Sequence, residues 1–168
     1  GDRVGKLIGA PEGTTVLGDK LSIKVFQAVA AGLALVPDRR VILSDNGNFP
    51  TDLYMVEGLM KLKNDGYDLR TPDPLDVMAQ IVVEGLMKLK NDGYDLRTPD
   101  PLDVMAQIDE TVAVVMLTEV DYRTGYKHDM AQIIAKAHSI GAIVVWDLAH
   151  SAGAVPVDVI AADADFAI

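Results

Sequence analysis

The stretch AIVVW at 142–146 sets apolar residues in unbroken succession, and a strand of that kind has to be covered on both faces. It runs out into DLAHSAGAVPVD (147–158), which puts Asp147 at the strand's C-terminal end and His150 three residues beyond it. In open α/β sheets that edge is where chemistry is done.

The rest of the chain alternates in the same sense. Helix LSIKVFQAVAAGLAL (21–35) leads to strand RVILSD (40–45), a helix from about Thr51, strand TVAVVML (111–117), helix HDMAQIIAKAHSI (128–140), AIVVW and then ADFAI (164–168). Met130, Ile133, Ile134 and Ala137 recur at the spacing of one buried helix face, and Gly141 reads as the stop. The alternation predicts an α/β fold with a doubly wound, mostly parallel sheet. Right-handed crossovers would gather NGNFPTD (46–52), LTEVDYRTG (117–125) and DLAHSAG (147–153) on one edge.

Composition narrows the function. A net charge of −10 opposes non-specific binding to nucleic acid or anionic lipid. The longest apolar run, AVAAGLALV at 28–36, is far below the roughly 20 residues that span a bilayer. With no cysteine and three histidines out of ligand spacing, neither a disulfide framework nor a metal site is expected, and a reducing cytosolic compartment fits.

Residues 56–81, VEGLMKLKNDGYDLRTPDPLDVMAQI, recur letter for letter at 83–108. Solenoid units diverge and come in arrays, so an identical pair points to a recent duplication, an insert or an assembly error rather than a functional repeat. Each copy reads as a helix body, a short extended piece (YDLRT) and a second short helix begun at proline. Only one copy can occupy the place that feeds TVAVVML, and Leu59, Met60 and Leu62, or their twins Leu86, Met87 and Leu89, are the apolar hazard of the other.

Several polar residues have plain roles as well as functional ones. Asp147 could cap the turn that follows it, Ser22 could cap the helix near Leu21, and Asp52 could cap the helix near Leu53. Thr118 could be a strand residue, Phe49 a core residue and His150 a surface one, while His128 and His138 carry no functional case. The helix start at Leu21 and Ser22, after the turn residues Gly18 and Asp19, would suit a phosphate. There is no glycine-rich dinucleotide fingerprint and no Walker loop, which disfavours a nicotinamide cofactor.

Four motifs in order, DKLSIKVF (19–26), NFPTDLY (48–54), VVMLTEVDYRTGYKHDM (114–130) and WDLAHSAGAVPVD (146–158), resemble the kynureninase family of the fold-type-I, class V aminotransferase superfamily. DLAH alone is shared with other class V enzymes, and NFPTD with TGYKHDM narrows the resemblance. It implies the large domain of a pyridoxal 5'-phosphate enzyme that hydrolyses the Cβ–Cγ bond of L-kynurenine, or of 3-hydroxykynurenine, to anthranilate and L-alanine. Asp147 would pair with the pyridine nitrogen, and Phe49, in the FPTD block with Pro50 and Thr51, would stack on the ring. Leu21 and Ser22 would serve the phosphate with Asp52 on that side, and Thr118 and His150 would contact the cofactor or the lysine region. A cytoplasmic homodimer with sites shared across its interface is implied too. The family's Schiff-base lysine and small C-terminal domain would fall beyond Ile168, so residues 1–168 are expected to be a partial large domain, inactive alone. A non-catalytic binder of pyridoxal phosphate or another small molecule, and another class V enzyme of the cysteine desulfurase kind, stay open.

Overall fold

The computed structural model describes residues 1–18, 20–63 and 95–168. Among the described residues, four helices, α1 (Asp2–Gly5), α2 (Leu21–Leu35), α3 (Pro50–Lys63) and α4 (Met130–Ser139), and a 3-10 helix at Pro101–Gln107 accompany strands β1 (Val41–Leu43), β2 (Asp95–Arg97), β3 (Val112–Thr118), β4 (Ile143–Asp147) and β5 (Phe166–Ala167). All pairings between these strands are parallel, in the order β2-β1-β3-β4-β5. The chain therefore winds outward in one direction from β1 to β2 and in the other from β3 to β5. The reversal falls between β1 and β3, and beyond the C-terminal ends of strands at such a switch point doubly wound sheets take ligands.

Burial follows the period of two that a sheet imposes. On one face Val115, Leu117, Val144 and Trp146 pack with Ile133, Ile134 and Ala137 of α4 and with Val104 and Ile108. On the other, Ile42, Val114, Met116 and Val145 meet Val25, Val29 and Leu33 of α2 and Val56, Leu59 and Met60 of α3. All seven residues of β3 are buried, as the apolar run TVAVVML requires of a central strand.

The helix ends match their local chemistry. Asp129 caps α4 by accepting from the Gln132 amide at 3.0 Å, and the Gln132 side chain returns a bond to Asp129 at 2.7 Å. Gly141 ends the same helix at φ 72°, a left-handed conformation that costs glycine little. The close approach of Gly32 to Val114 and Ile143 sets the C-terminal part of α2 over the strand starts, so the helix's first turn lies toward their C-terminal edge. Among the described residues no helix is long and apolar enough to cross a membrane.

The two identical segments share the work. Residues 56–63 of the first copy complete α3, where Leu59 and Met60 are buried and Leu62 is exposed. Residues 95–108 of the second copy supply β2 and the 3-10 helix, with Leu96, Val104 and Ile108 buried. Of the expected apolar hazard in the first copy, Leu59 and Met60 are covered because both face the sheet, and Leu62 stays exposed; Leu86, Met87 and Leu89 lie outside the described residues.

Covalent continuity explains the division. The head that is joined to Phe49–Asp52 must extend α3, and the tail that is joined to Asp109 must precede β3. Arg97 fixes that tail by pairing with Asp109 at 2.7 Å and donating to Thr111 at 2.7 Å. Deleting residues 64–90 joins Lys63 to Asn91 and leaves Asn91, Asp92, Gly93 and Tyr94 to reach Asp95, a length ordinary for a helix-to-strand connection. The shortened chain is expected to keep the helical content of its circular dichroism and to unfold in one sharp transition; loss of that transition would give the deleted residues a structural role. In the same assay Leu117→Ala, at a fully buried position, should cost about 2–5 kcal/mol.

Candidate functional site

Burying polar groups is costly unless each finds a partner, yet Ser44, Asn48, Asp52, Thr118 and Asp147 are all buried at the C-terminal edge of the sheet. Most of the cost is met within one network centred on Asn48. Its Nδ2 donates to Ser44 Oγ at 2.8 Å and lies 3.4 Å from the Met116 carbonyl. Its Oδ1 accepts from the Phe49 amide at 2.7 Å and from the Thr118 hydroxyl. Thr118 and Asp147 are register partners on β3 and β4, and Thr118 Oγ1 lies 3.4 Å from Asp147 Oδ2.

Asp147 is fixed from its other side by the Ala149 amide, which donates to Oδ1 at 2.8 Å. This is the turn-capping bond that a strand-end aspartate makes, and it leaves Oδ2 facing the Thr118 hydroxyl. Asp52 comes against Asp147 from α3. Burial above all, then the closeness and the like charge of Asp147, pushes the Asp52 carboxyl up to about 8. Among the described residues no N–H or hydroxyl donor reaches either oxygen of Asp52.

A second layer is aromatic. Phe49, 36% exposed, meets Tyr122 edge-on with ring centroids 5.2 Å apart, and Tyr122 stacks on His150 at 6.2 Å and 28°. Phe49 and His150 are 6.4 Å apart, and the Arg123 guanidinium lies 5.7 Å from the centre of the Tyr122 ring. The three rings come from the loops after β1, β3 and β4, so the sheet edge joins residues that the sequence keeps far apart.

The expected site residues divide accordingly. Phe49, Asp52, Thr118, Asp147 and His150 converge, whereas Pro50 and Thr51 form the exposed first turn of α3, with proline at a position that needs no N–H. The resemblance sets Asp52 beside the phosphate; the structure brings it against Asp147, because as the third residue of α3 it turns inward beneath the sheet edge. Nor does it cap that helix, which begins at Pro50 rather than near Leu53.

Leu21 and Ser22 open α2, where Lys20 is the cap residue and Ser22 makes no capping bond. Among the described residues no hydrogen bond or ring contact joins them to the Asn48 network. Asp19 lies outside the described residues. Asn48, Tyr122 and His128 were missed by sequence reasoning. For Asn48 the available signal was an asparagine between a turn and a helix-starting Phe-Pro; for His128 nothing local distinguished a buried histidine from an exposed one.

Comparison with known proteins shows what the chain is similar to. The family described as Aminotransferase class-V matches residues 86–168. A kynureninase of Pseudomonas fluorescens is 42% identical over the whole chain, and one of Burkholderia pseudomallei (strain 1106a) is 41% identical. The chain spans 35% of the length of each of these relatives. Among solved structures, the cysteine desulfurase CsdA of Escherichia coli superposes with a TM-score of 0.65 and 21% identity, covering 99% of this chain and 37% of that one. The apo cysteine desulfurase of Thermococcus onnurineus NA1 gives 0.69 and 21%, covering 99% of this chain and 36% of that one; at this identity both likenesses speak for the fold alone. Along its whole length the chain is similar in sequence to kynureninases, over residues 86–168 it matches the Aminotransferase class-V family, and in fold it is similar to the cysteine desulfurases.

Proposed function

We propose that this chain forms the ring-nitrogen wall of a kynureninase-type active site. It would hold pyridoxal 5'-phosphate while the Cβ–Cγ bond of L-kynurenine, or of its 3-hydroxy form, is hydrolysed to anthranilate and L-alanine. The observation that carries this reading is the Asp52–Asp147 pair: two buried, adjoining carboxyls at the switch point, one of them with no donor. Two such groups cannot both ionise cheaply without a cation, and a protonated pyridine nitrogen is a cation with one N–H to give. The residues therefore fit the cofactor.

When bound, pyridoxal phosphate supplies an electron sink for the bond that breaks. The chain's own contribution is positional and electrostatic. Asp147, aimed by the Ala149 amide, would accept the ring N–H, and Asp52 would retain a proton so that the pair carries one negative charge. Phe49, braced by Tyr122, offers a ring face; His150 stands at the mouth, with Pro50 and Thr51 starting the helix that carries Asp52. The first-turn amides of α2 at Leu21 and Ser22, with the Ser22 hydroxyl, suit the phosphate. The same reading makes the protein a cytoplasmic homodimer, and its net charge of −10 argues against nucleic acid or membrane as a partner.

Titrating pyridoxal 5'-phosphate into the chain and following the fluorescence of Trp146, its one tryptophan, is expected to give saturable quenching. Asp147→Ala should weaken binding by about 10- to 100-fold, the loss of a charge-assisted hydrogen bond; equal binding by the variant would overturn the assignment. For the substrate, a chimaera of Pseudomonas fluorescens kynureninase carrying residues 1–63 and 91–168 in place of its matching segment should cleave L-kynurenine. A chimaera that folds and takes up the cofactor yet leaves kynurenine intact would refute that part.

The shared proton also sets a pH dependence. Between about pH 4 and 8 folded Asp52 keeps a proton that the unfolded chain releases, so stability should fall as pH rises through that window, by at most about 1.4 kcal/mol per pH unit. Urea unfolding at pH 5 and pH 8 measures it, and Asp52→Asn should remove this part of the slope.

A further inference from the structure

Among the described residues lies a second buried ionisable pair that the proposed function leaves unused. His128 Nε2 donates to Asp45 Oδ2 at 2.8 Å, and both side chains are at least 96% buried. The pair joins two loops. Asp45 follows β1, and its carbonyl accepts from the Asn48 amide at 3.3 Å, so its placement passes directly to the hub of the polar network and to Phe49. His128 closes the excursion after β3, where its amide donates to the Glu119 carbonyl at 2.9 Å and Val120 bridges Lys127; Tyr122 sits within that excursion. The two loops press so closely that a methyl group at Gly47 would overlap Asp121 Oδ2. The His128 ring also meets Tyr126 edge-on at 5.1 Å and lies 6.3 Å from the ring of Trp146, the neighbour of Asp147.

Stability alone does not account for such a pair. Burying an ionisable couple often gains nothing over well-packed apolar side chains of similar volume, whereas a single directed bond between two loops fixes their relative orientation. We infer that His128 and Asp45 are positioning residues that hold the loop bearing Asn48 and Phe49 at a fixed angle to the loop bearing Tyr122, and so shape the aromatic wall of the cofactor site. The inference rests on the proposed cofactor reading for its consequence, and on the ligand-free chain for its geometry.

Three variants of the whole chain test it: Asp45→Asn, which keeps an acceptor for Nε2; Asp45→Ala; and the double variant Asp45→Leu/His128→Leu, which replaces the pair by apolar packing. Two readouts are taken below the unfolding midpoint of each, namely the nuclear Overhauser contact between the Phe49 and Tyr122 rings without ligand, and the affinity for pyridoxal 5'-phosphate. Asp45→Asn is expected to retain the ring contact and bind within about twofold of the parent. The double variant should stay folded, lose the ring contact and bind about tenfold or more weakly, on the scale of losing a supporting shell. If Asp45→Ala does not fold, the double variant decides. A folded double variant with the ring contact and affinity of the parent would overturn the inference. If the parent chain itself takes up no pyridoxal phosphate, the cofactor reading fails and the ring contact alone decides the positioning role.

Discussion

Everything at the site depends on the register between β3 and β4, which sets Thr118 beside Asp147 at the last pair of the ladder. In a strand buried on both faces a slip of one residue would exchange the two cores, moving Val115 and Leu117 from the side of α4 to the side of α2 and α3. The packing of two helical layers thereby fixes a polar contact at the strand ends. Asn48 then ties β1's loop to that pair through the Thr118 hydroxyl, and the sheet edge acquires a floor made from two strand ends and a loop.

That floor is unusually acidic for a buried surface. Asp45, Asp52, Glu119, Asp121 and Asp147 are all buried near it, and each is handled differently. Asp45 has His128, Glu119 has Lys127 at 3.3 Å, and Asp121 is served by the amides of Arg123 and Thr124 at 2.7 and 2.9 Å. Those amides, and the charge of Arg123, hold the Asp121 carboxyl below its ordinary value against burial, which acts to raise it. Only Asp52 and Asp147 are left to face one another, and that contrast is the ground on which a cationic partner is proposed at their position.

The fold was legible because its signals are local and strong. Continuous β-branched runs read as β3 and β4, the helical spacing of Met130, Ile133, Ile134 and Ala137 as α4, and LSIKVFQAVAAGLAL coincides with α2 from first residue to last. Asp147 and Thr118 were legible for a related reason, since a polar residue that ends a buried strand has few places to go. What could not be read depends on contacts across long sequence separations. The approach of Asp52 to Asp147 and the pairing of His128 with Asp45, 83 residues apart, leave no periodic trace. Nor could the pattern reveal how identical segments would be shared, because the letters are the same and only their covalent neighbours differ.

That sharing has a consequence for how the chain can change. Leu59 and Met60 contribute to the core from the front of one copy, and Leu96, Val104 and Ile108 from the back of the other. Selection acting through these contacts falls on opposite ends of two identical texts. A substitution and its counterpart 27 positions away are therefore distinct genetic events, and the symmetry of the sequence is not a symmetry of the folded chain.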